Sequence, residues 1–299
     1  MKVVVTGAAG KIGRWTVRTL LEAGHDVIAT DRLLTEESAT KSFIQSELRN
    51  YGQVCQLIMQ AEAVVHLANI PSDVRNTPQA IFENNMLVNF NILEACKDFN
   101  IQKLVWASSE TVFGFPFTSE QLHFVPIDEE HPLFPRSSYA MAKVLTEELS
   151  KMYYNLVNKQ IVVLRFANIY EPDEYTKIPV MHWTDEQKDK QKMNVWAYCD
   201  VRDAAQACLL ALEKDNLGNQ VFNITAADTI MPDLSADLVK RFFPEVPFKY
   251  PVNGNETLMS INKARQVLGY APKYSWRNVL NEDGTPKPMP EDLFALANV

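Results

Sequence analysis

Two side chains that could move a proton stand four residues apart in the stretch Ser137-Ser-Tyr-Ala-Met-Ala-Lys143. Residues at this spacing lie on one face of a helix, one turn apart, so Tyr139 and Lys143 are expected to be neighbours. A nearby ammonium favours the phenolate and lowers the pKa of a tyrosine from about 10 towards neutrality. The pair therefore predicts a general base, with an ordinary solvated pair of side chains as the alternative.

A second group of polar side chains ends an apolar run. The stretch Val105-Trp-Ala-Ser-Ser-Glu-Thr-Val-Phe-Gly114 has the pattern of a strand followed by hydroxyl residues. In a parallel sheet, ligands collect at the carboxyl ends of the strands. We therefore expect Ser109 and Thr111 to face the same crevice as Tyr139.

Three glycines, Gly7, Gly10 and Gly13, separate the first apolar run from a helical pattern. In a dinucleotide site, such glycines permit a tight turn, close approach to a pyrophosphate and close packing of the helix on the sheet. The N-terminus of the helix adds free N–H groups and a partial positive charge. Asp31 ends the next strand, about 20 residues further on, where a carboxylate can bind an adenosine ribose. The alternative is a helix cap or a surface turn.

The same carboxylate indicates which cofactor is preferred. Asp31 would repel the 2′-phosphate of NADP, which favours NAD. The neighbouring Arg32 could pair with that phosphate if its side chain turned inward. We therefore expect NAD as the cofactor, with NADP less favoured.

The elements that must position these residues alternate between short apolar runs and helical patterns, which indicates an α/β fold with a doubly wound parallel sheet, the Rossmann arrangement. The predicted strands are Val3–Val5, Asp26–Thr30, Ala63–Leu67, Lys103–Ala107, Ile161–Phe166 and Gln220–Ile224, and the predicted helices are Trp15–Ala23, Gln53–Gln60, Ala80–Phe99, Tyr139–Val157 and Ala204–Glu213.

Two parts of the chain are expected. Residues 1–166, with a returning strand near residues 220–224, would form the cofactor-binding domain, and residues 167–299 a smaller, discontinuous lobe with a C-terminal tail. The polar stretch Thr184–Lys192 is interpreted as a solvated helix face or a mobile lid. Asp203 is predicted to cap the helix that follows it. Residues 292–299 are an apolar tail behind a proline-rich connector.

Composition excludes several classes of protein. The 299 residues carry 29 basic and 37 acidic side chains, a net charge of −8, and no basic run that would suit nucleic acid. No stretch is long and apolar enough for a membrane span, and no signal peptide is expected. The four cysteines lack metal-ligand spacing, so we expect no metal and a reducing, cytoplasmic location.

Taken together, the motifs resemble those of the extended short-chain dehydrogenases/reductases of the NAD-dependent epimerase/dehydratase family. The glycine stretch matches TGxxGxxG, and Tyr139 and Lys143 match YxxxK. Further similar stretches are Val64-Val-His-Leu-Ala68, Asn85-Met-Leu-Val-Asn-Phe-Asn91, Ser108-Ser-Glu-Thr-Val-Phe-Gly114 and Leu164-Arg-Phe-Ala-Asn168.

The resemblance implies a role for each matching position. Ser109 would hold the substrate oxygen, Tyr139 would transfer its proton, and Lys143 would bind the nicotinamide ribose and lower the pKa of Tyr139. The positions expected to bind cofactor are Gly7, Gly10, Lys11, Ile12, Gly13, Asp31, Arg32, Glu47, Leu48, Leu67, Ala68, Asn85, Tyr139, Lys143 and Phe166. Those expected to bind substrate are Ser109, Thr111, Asn168 and Trp196.

One departure from the family pattern bears on the substrate. Trp196 stands where sugar-nucleotide epimerases usually carry an arginine for a substrate phosphate. We therefore favour an NAD-dependent dehydrogenase that oxidises a secondary or hemiacetal hydroxyl of a sugar-like small molecule. A nucleotide-sugar 4-epimerase with retained NAD is the first alternative, and a non-enzymatic sensor of NAD(P) is the second.

The sequence also predicts a homodimer. The two long helical patterns carry apolar residues on more than one face, whereas packing on the sheet needs only one. Relatives in the resembled family pair these helices, and the alternative is that the C-terminal tail covers them. The apolar residues concerned are Phe82, Leu87, Phe90, Leu93, Val144, Leu145, Leu149, Tyr153 and Tyr154.

Overall fold

The computed structural model describes residues 1–34, 42–71, 75–115, 117, 121–177, 183–281 and 284–287. The apolar tail predicted at 292–299 lies outside these residues. Nine strands occur within them, numbered in chain order: β1 (Lys2–Thr6), β2 (Asp26–Asp31), β3 (Phe43–Gln45), β4 (Ala63–His66), β5 (Lys103–Ser109), β6 (Gln160–Phe166), β7 (Ile169–Tyr170), β8 (Cys199–Asp200) and β9 (Asn219–Ile224).

Seven of the described strands form one parallel sheet in the order β3-β2-β1-β4-β5-β6-β9. From β1 the chain first builds outward through β2 and β3. It then returns to the other side of β1 and continues through β4, β5 and β6. The carboxyl ends of β1 and β4 therefore border the point where the strand order reverses, which is where α/β sheets bind ligands. The doubly wound fold is confirmed.

Helices cover both faces of the sheet because successive residues of a strand point to opposite sides. The described helices are α1 (Lys11–Glu22), α2 (Tyr51–Ile58), α3 (Pro78–Asp98), α4 (Ser138–Val157), α5 (Asp185–Gln191), α6 (Val201–Glu213), α7 (Ser235–Phe242), α8 (Asn262–Leu268) and α9 (Trp276–Val279). In β1, Val3 and Val5 pack with residues of α1 and α6, whereas Val4 packs with residues of α2 and α3.

The start of α6 corrects one prediction. Asp203 does not cap this helix, because α6 begins two residues earlier and the side chain of Asp200 accepts the hydrogen bond of Arg202 N–H at 2.9 Å. Asp203 lies inside the first turn and is buried. Its carboxylate accepts hydrogen bonds from the backbone N–H groups of Lys273 and Tyr274 at 2.9 and 3.0 Å. It therefore anchors the C-terminal segment to α6.

The polar stretch Thr184–Lys192 contains a surface helix, α5. The Thr184 side chain accepts a hydrogen bond from Gln187 N–H, and the Gln187 side chain accepts one from Thr184 N–H. None of the α5 residues is buried, which agrees with a solvated helix. No helix in the described part of the chain is long and apolar enough to span a membrane.

The outer surface of α3 and α4 retains apolar side chains. Leu93 and Tyr153 belong to the core, so part of the apolar excess seen in the sequence packs within the protomer. The large apolar side chains of these two helices that remain exposed are Leu87, Phe90, Met141, Leu145, Met152 and Leu156. We name these six residues the α3/α4 surface. The α4 members recur at helical spacing, so they form a continuous stripe.

We expect the α3/α4 surface to pair two copies of the chain. Leu145→Glu would place a charge in the apolar contact and should convert a dimer into a monomer, as measured by light scattering at micromolar concentration. The control is Met59→Glu, which adds the same charge at an exposed methionine after α2. A wild-type protein of monomeric mass, or an unchanged dimer in Leu145→Glu, would contradict this expectation.

Candidate functional site

The glycine loop between β1 and α1 is shaped for close backbone approach. Gly7 has φ +70°, and a Cβ there would lie 2.7 Å from the backbone nitrogen of Ala68. A Cβ on Gly13 would lie 2.0 Å from the carbonyl oxygen of Gly7. Gly10 directly precedes α1, and among the described residues no side chain caps the N-terminus of this helix. This leaves a cradle of backbone N–H groups at Lys11 and Ile12 that fits a pyrophosphate.

The carboxylate of Asp31 lies beside this loop. One oxygen accepts a hydrogen bond from Ala9 N–H at 3.1 Å, and the other accepts one from Leu33 N–H at 3.1 Å. These contacts fix a negative charge at the end of β2, where the predicted ribose contact requires it. The neighbouring Arg32 is exposed.

Other residues predicted to bind cofactor surround the same edge of the sheet. Asn85 is fully buried, and its side-chain amide forms hydrogen bonds with both the N–H and the C=O of Ile70, at 2.8 and 2.9 Å. It therefore holds the loop after β4, which contains Leu67 and Ala68. Beyond β3, Glu47 is exposed and Leu48 is buried. Phe166 ends β6 in register with Ser109.

Ser109, Tyr139 and Lys143 come together at the carboxyl end of β5. The Lys143 ammonium nitrogen lies 5.4 Å from the centre of the Tyr139 ring and donates a hydrogen bond to the Ala107 carbonyl at 2.5 Å. Ser109 Oγ accepts hydrogen bonds from the N–H and the hydroxyl of Thr111, at 3.2 and 3.1 Å. Its own proton is thereby free to point towards the Tyr139 oxygen, and the Ser109 hydroxyl favours ionisation of that phenol.

Burial governs the two ionisable groups of this set. It raises the pKa of Tyr139 to about 12, and the Ser109 hydroxyl opposes this rise. It lowers the pKa of Lys143 to about 7, because an ammonium that is only 2% exposed has lost most of its hydration. Burial is the largest influence on the pKa of Tyr139, and the lowering of this pKa by Lys143 stays a prediction.

The substrate side of the site departs from prediction at one position. Asn168 is exposed, and its side-chain amide donates a hydrogen bond to Tyr170 Oη at 3.2 Å. Trp196, by contrast, is fully buried. Its indole N–H donates to the carbonyl of Lys188 at 3.0 Å, and its ring packs against Phe243. The prediction that Trp196 contacts substrate is wrong, because the side chain belongs to the core.

An ion-pair clasp joins α1 to the segment after β7. Lys11 Nζ lies 2.5 Å from Glu174 Oε1, and Arg14 Nη2 lies 2.8 Å from Glu171 Oε1. Glu171 N–H also donates to the Glu174 carboxylate at 2.8 Å. The clasp lies at the N-terminus of α1, beside the glycine cradle. The sequence did not indicate it, because its partners are about 160 residues apart.

Glycine is essential at position 13 if the cradle holds a dinucleotide. We expect Gly13→Ala to abolish NAD binding in calorimetric titration, because the new methyl group must displace backbone at 2.0 Å. Gly10→Ala should bind more weakly than wild type, since its Cβ would lie 3.2 Å from the same carbonyl oxygen. Gly52→Ala in α2 meets only the Asn50 side chain and is the matched control. Wild-type affinity in Gly13→Ala would refute the assignment.

Known proteins are similar to this chain in both sequence and fold. A UDP-glucose 4-epimerase of Lacticaseibacillus casei is 28% identical over 312 residues, covering 92% of each chain. The crystal structure of the Thermotoga maritima UDP-glucose 4-epimerase with UDP-glucose matches with a TM-score of 0.70 and 25% identity, covering 95% of this chain and 96% of that one.

A short-chain dehydrogenase/reductase superfamily protein from Agrobacterium tumefaciens, crystallised with bound NAD, has a TM-score of 0.72 at 22% identity over 95% of this chain and 96% of that one. This likeness shows the fold. Residues 3–225 match the family described as the NAD dependent epimerase/dehydratase family. The match spans well over half of the chain and contains the glycine cradle and the Ser109, Tyr139 and Lys143 set. The protein therefore belongs to the NAD-dependent epimerase/dehydratase family.

Proposed function

We propose that the protein is a nucleotide-sugar 4-epimerase that acts on a UDP-hexose and retains NAD. The observation that carries the proposal is the grouping of Ser109 and Tyr139, with Lys143 beside the phenol ring, at the edge of the sheet that also holds the glycine cradle. The L. casei relative matches along nine-tenths of both chains and is named for this activity.

In this proposal each side chain has one task. Ser109 donates its hydroxyl proton towards the reacting oxygen and keeps the substrate hydroxyl at the phenol of Tyr139. The Tyr139 oxygen takes the proton of that hydroxyl and later returns it, so the cycle leaves no net proton on the protein. Lys143 holds the nicotinamide ribose. NAD, when bound, supplies a reversible hydride acceptor and a positive charge that no side chain of this set provides.

The cofactor must stay in place through both halves of an epimerisation. The clasp of Lys11 with Glu174 and Arg14 with Glu171 supports this requirement, because it ties the helix of the glycine cradle to the segment after β7. Asp31 supports NAD over NADP, since its carboxylate is fixed where a 2′-phosphate would be repelled.

The dehydrogenase favoured by the sequence now ranks second. That preference depended on Trp196, which stands where epimerases usually carry an arginine for phosphate. The buried Trp196 supplies no phosphate contact, so a 4-epimerase would bind the substrate phosphates through other side chains. The names of the relatives favour the 4-epimerase. A dehydrogenase would release NADH with an oxidised sugar, so product analysis separates the two functions.

Tyr139→Phe tests the proposal directly. With UDP-galactose, we expect wild type to form UDP-glucose without net NADH and Tyr139→Phe to turn over about 10²–10⁴-fold more slowly, because the ring remains but the proton acceptor is lost. NAD affinity should survive in this variant. Chromatography of the sugar nucleotides and the absorbance of NADH measure both products.

Two further variants divide the roles. Lys143→Met should weaken NAD binding as well as turnover, whereas Ser109→Ala should reduce turnover and leave NAD affinity intact. Stoichiometric NADH from sugars would instead establish a dehydrogenase. Tight NAD binding without turnover of any sugar would favour the sensor. Near-wild-type turnover in Tyr139→Phe would remove Tyr139 from the mechanism.

A further inference from the structure

Glu110 places a buried carboxyl inside the candidate site. It stands between Ser109 and Thr111 at the start of a 3₁₀ turn, Glu110–Phe113, and is only 7% exposed. Oε1 accepts a hydrogen bond from the Asn194 side-chain amide at 3.3 Å. Among the described residues, Oε2 has no hydrogen-bond partner.

The groups that face this carboxyl favour its neutral form. The ionisable side chains of neighbouring elements that interact with it are Tyr139 on α4 and Tyr170 on β7, and both are neutral phenols. In the described part of the chain, no lysine, arginine or histidine contributes to its titration. A buried carboxylate without a cation is unfavourable. Burial accordingly raises the pKa of Glu110 to about 8, so the group is mostly protonated at neutral pH.

The charge of Glu110 acts on the proton acceptor. A negative charge on its carboxylate raises the pKa of Tyr139, because two like charges would then share one buried site. While Glu110 keeps its proton, this repulsion is absent. The pKa of Glu110 is lower than that of Tyr139, so Glu110 loses its proton first as the pH rises. Its carboxylate then opposes ionisation of the phenol.

Glu110 also secures a turn on the substrate side. The Asn194 amide that donates to Glu110 donates to the carbonyl of Ala197 as well, at 2.8 Å. Between them, Val195 and Trp196 have φ of +50° and +55°, in the left-handed region that non-glycine residues rarely adopt. Contacts from outside must hold such a turn. The Glu110 carboxyl supplies one of these contacts and joins the turn to the end of β5.

We propose that Glu110 is a positioning residue that controls proton transfer: as a neutral acid it ties the 194–197 turn to the site and leaves Tyr139 able to ionise, and as a carboxylate it suppresses Tyr139. The second part rests on the proposed role of Tyr139 as proton acceptor. The first part, which concerns the protonation state of Glu110, can be tested whether or not the protein has the proposed activity.

Infrared spectroscopy of the holoenzyme tests the protonation state without substrate. The difference between wild type and Glu110→Gln at about pH 6 should contain the carbonyl band of a protonated carboxylic acid, and this band should vanish at about pH 10. Gln keeps an oxygen for the Asn194 hydrogen bond, so folding should be preserved. Absence of the band at about pH 6 would overturn the proposal, whatever the protein's activity.

The pH profile of turnover tests the control of Tyr139. With UDP-galactose, the rise of wild-type kcat with pH should level off above about 8, whereas kcat of Glu110→Gln should continue to rise. Above about pH 8, kcat of Glu110→Gln should exceed that of wild type. The factor should be about ten for each unit by which the pKa of Tyr139 is lower in the variant. At about pH 6 the two proteins should be equal.

A matched control and a second variant complete the test. Glu129 is another acid whose pKa burial raises, and it accepts Asn223 N–H at 2.8 Å. Glu129→Gln should keep the wild-type levelling of kcat above about pH 8. Glu110→Met removes the Asn194 contact as well as the acid, so it should be slower than Glu110→Gln at every pH. Identical pH profiles of kcat for wild type and Glu110→Gln would overturn the proposal.

If UDP-galactose is not turned over, the ionisation of Tyr139 is measured directly in place of kcat. Tyrosinate absorbance, with the signal of Tyr139→Phe subtracted, should give a lower titration midpoint in Glu110→Gln than in wild type.

Discussion

A buried chain of hydrogen bonds joins the cofactor side of the site to its catalytic side. Thr6 Oγ1 accepts a hydrogen bond from Leu67 N–H, so its own proton is directed to Nδ1 of His66, 2.7 Å away. Nε2 of His66 then carries the ring proton and donates it to the Asn89 side-chain oxygen at 2.9 Å. The Asn89 amide donates to Thr146 Oγ1, also at 2.9 Å. Burial lowers the pKa of His66 to about 4, so the chain keeps this direction at neutral pH.

This series of hydrogen bonds matters because Thr6 precedes the glycine cradle and Thr146 lies in α4, the helix that carries Tyr139 and Lys143. A second anchor fixes α4 to the sheet. Glu147 forms an ion pair with Arg165 of β6 at 2.6 Å and accepts a hydrogen bond from the Ser108 hydroxyl of β5 at 2.5 Å. Both charged side chains are almost fully buried. Catalysis by positioned groups is sensitive to shifts of about 1 Å, so a helix anchored at two adjacent residues, one turn after Lys143, suits the role proposed for Tyr139.

The sequence pattern predicted the features that depend on residues close together in the chain. The six apolar runs became strands of the parallel sheet, and the glycine spacing and the Tyr139–Lys143 spacing describe geometry within one turn of chain. Contacts between distant segments escaped prediction. β3 is three residues long and mostly exposed, so it has no apolar pattern. The burial of Trp196 depends on Phe243, and the shifted pKa of Lys143 depends on burial that its own neighbours in sequence do not reveal.

The central claim is that hydrogen leaves and returns to the same carbon of one bound sugar nucleotide while Tyr139 holds the hydroxyl proton. UDP-galactose carrying deuterium at C4 tests this claim most directly, with the UDP-glucose product examined by mass spectrometry and NMR. The account predicts that the deuterium remains on C4 of the product and that free NADH carries none. Deuterium in released NADH, or its replacement by hydrogen from solvent, would contradict the account.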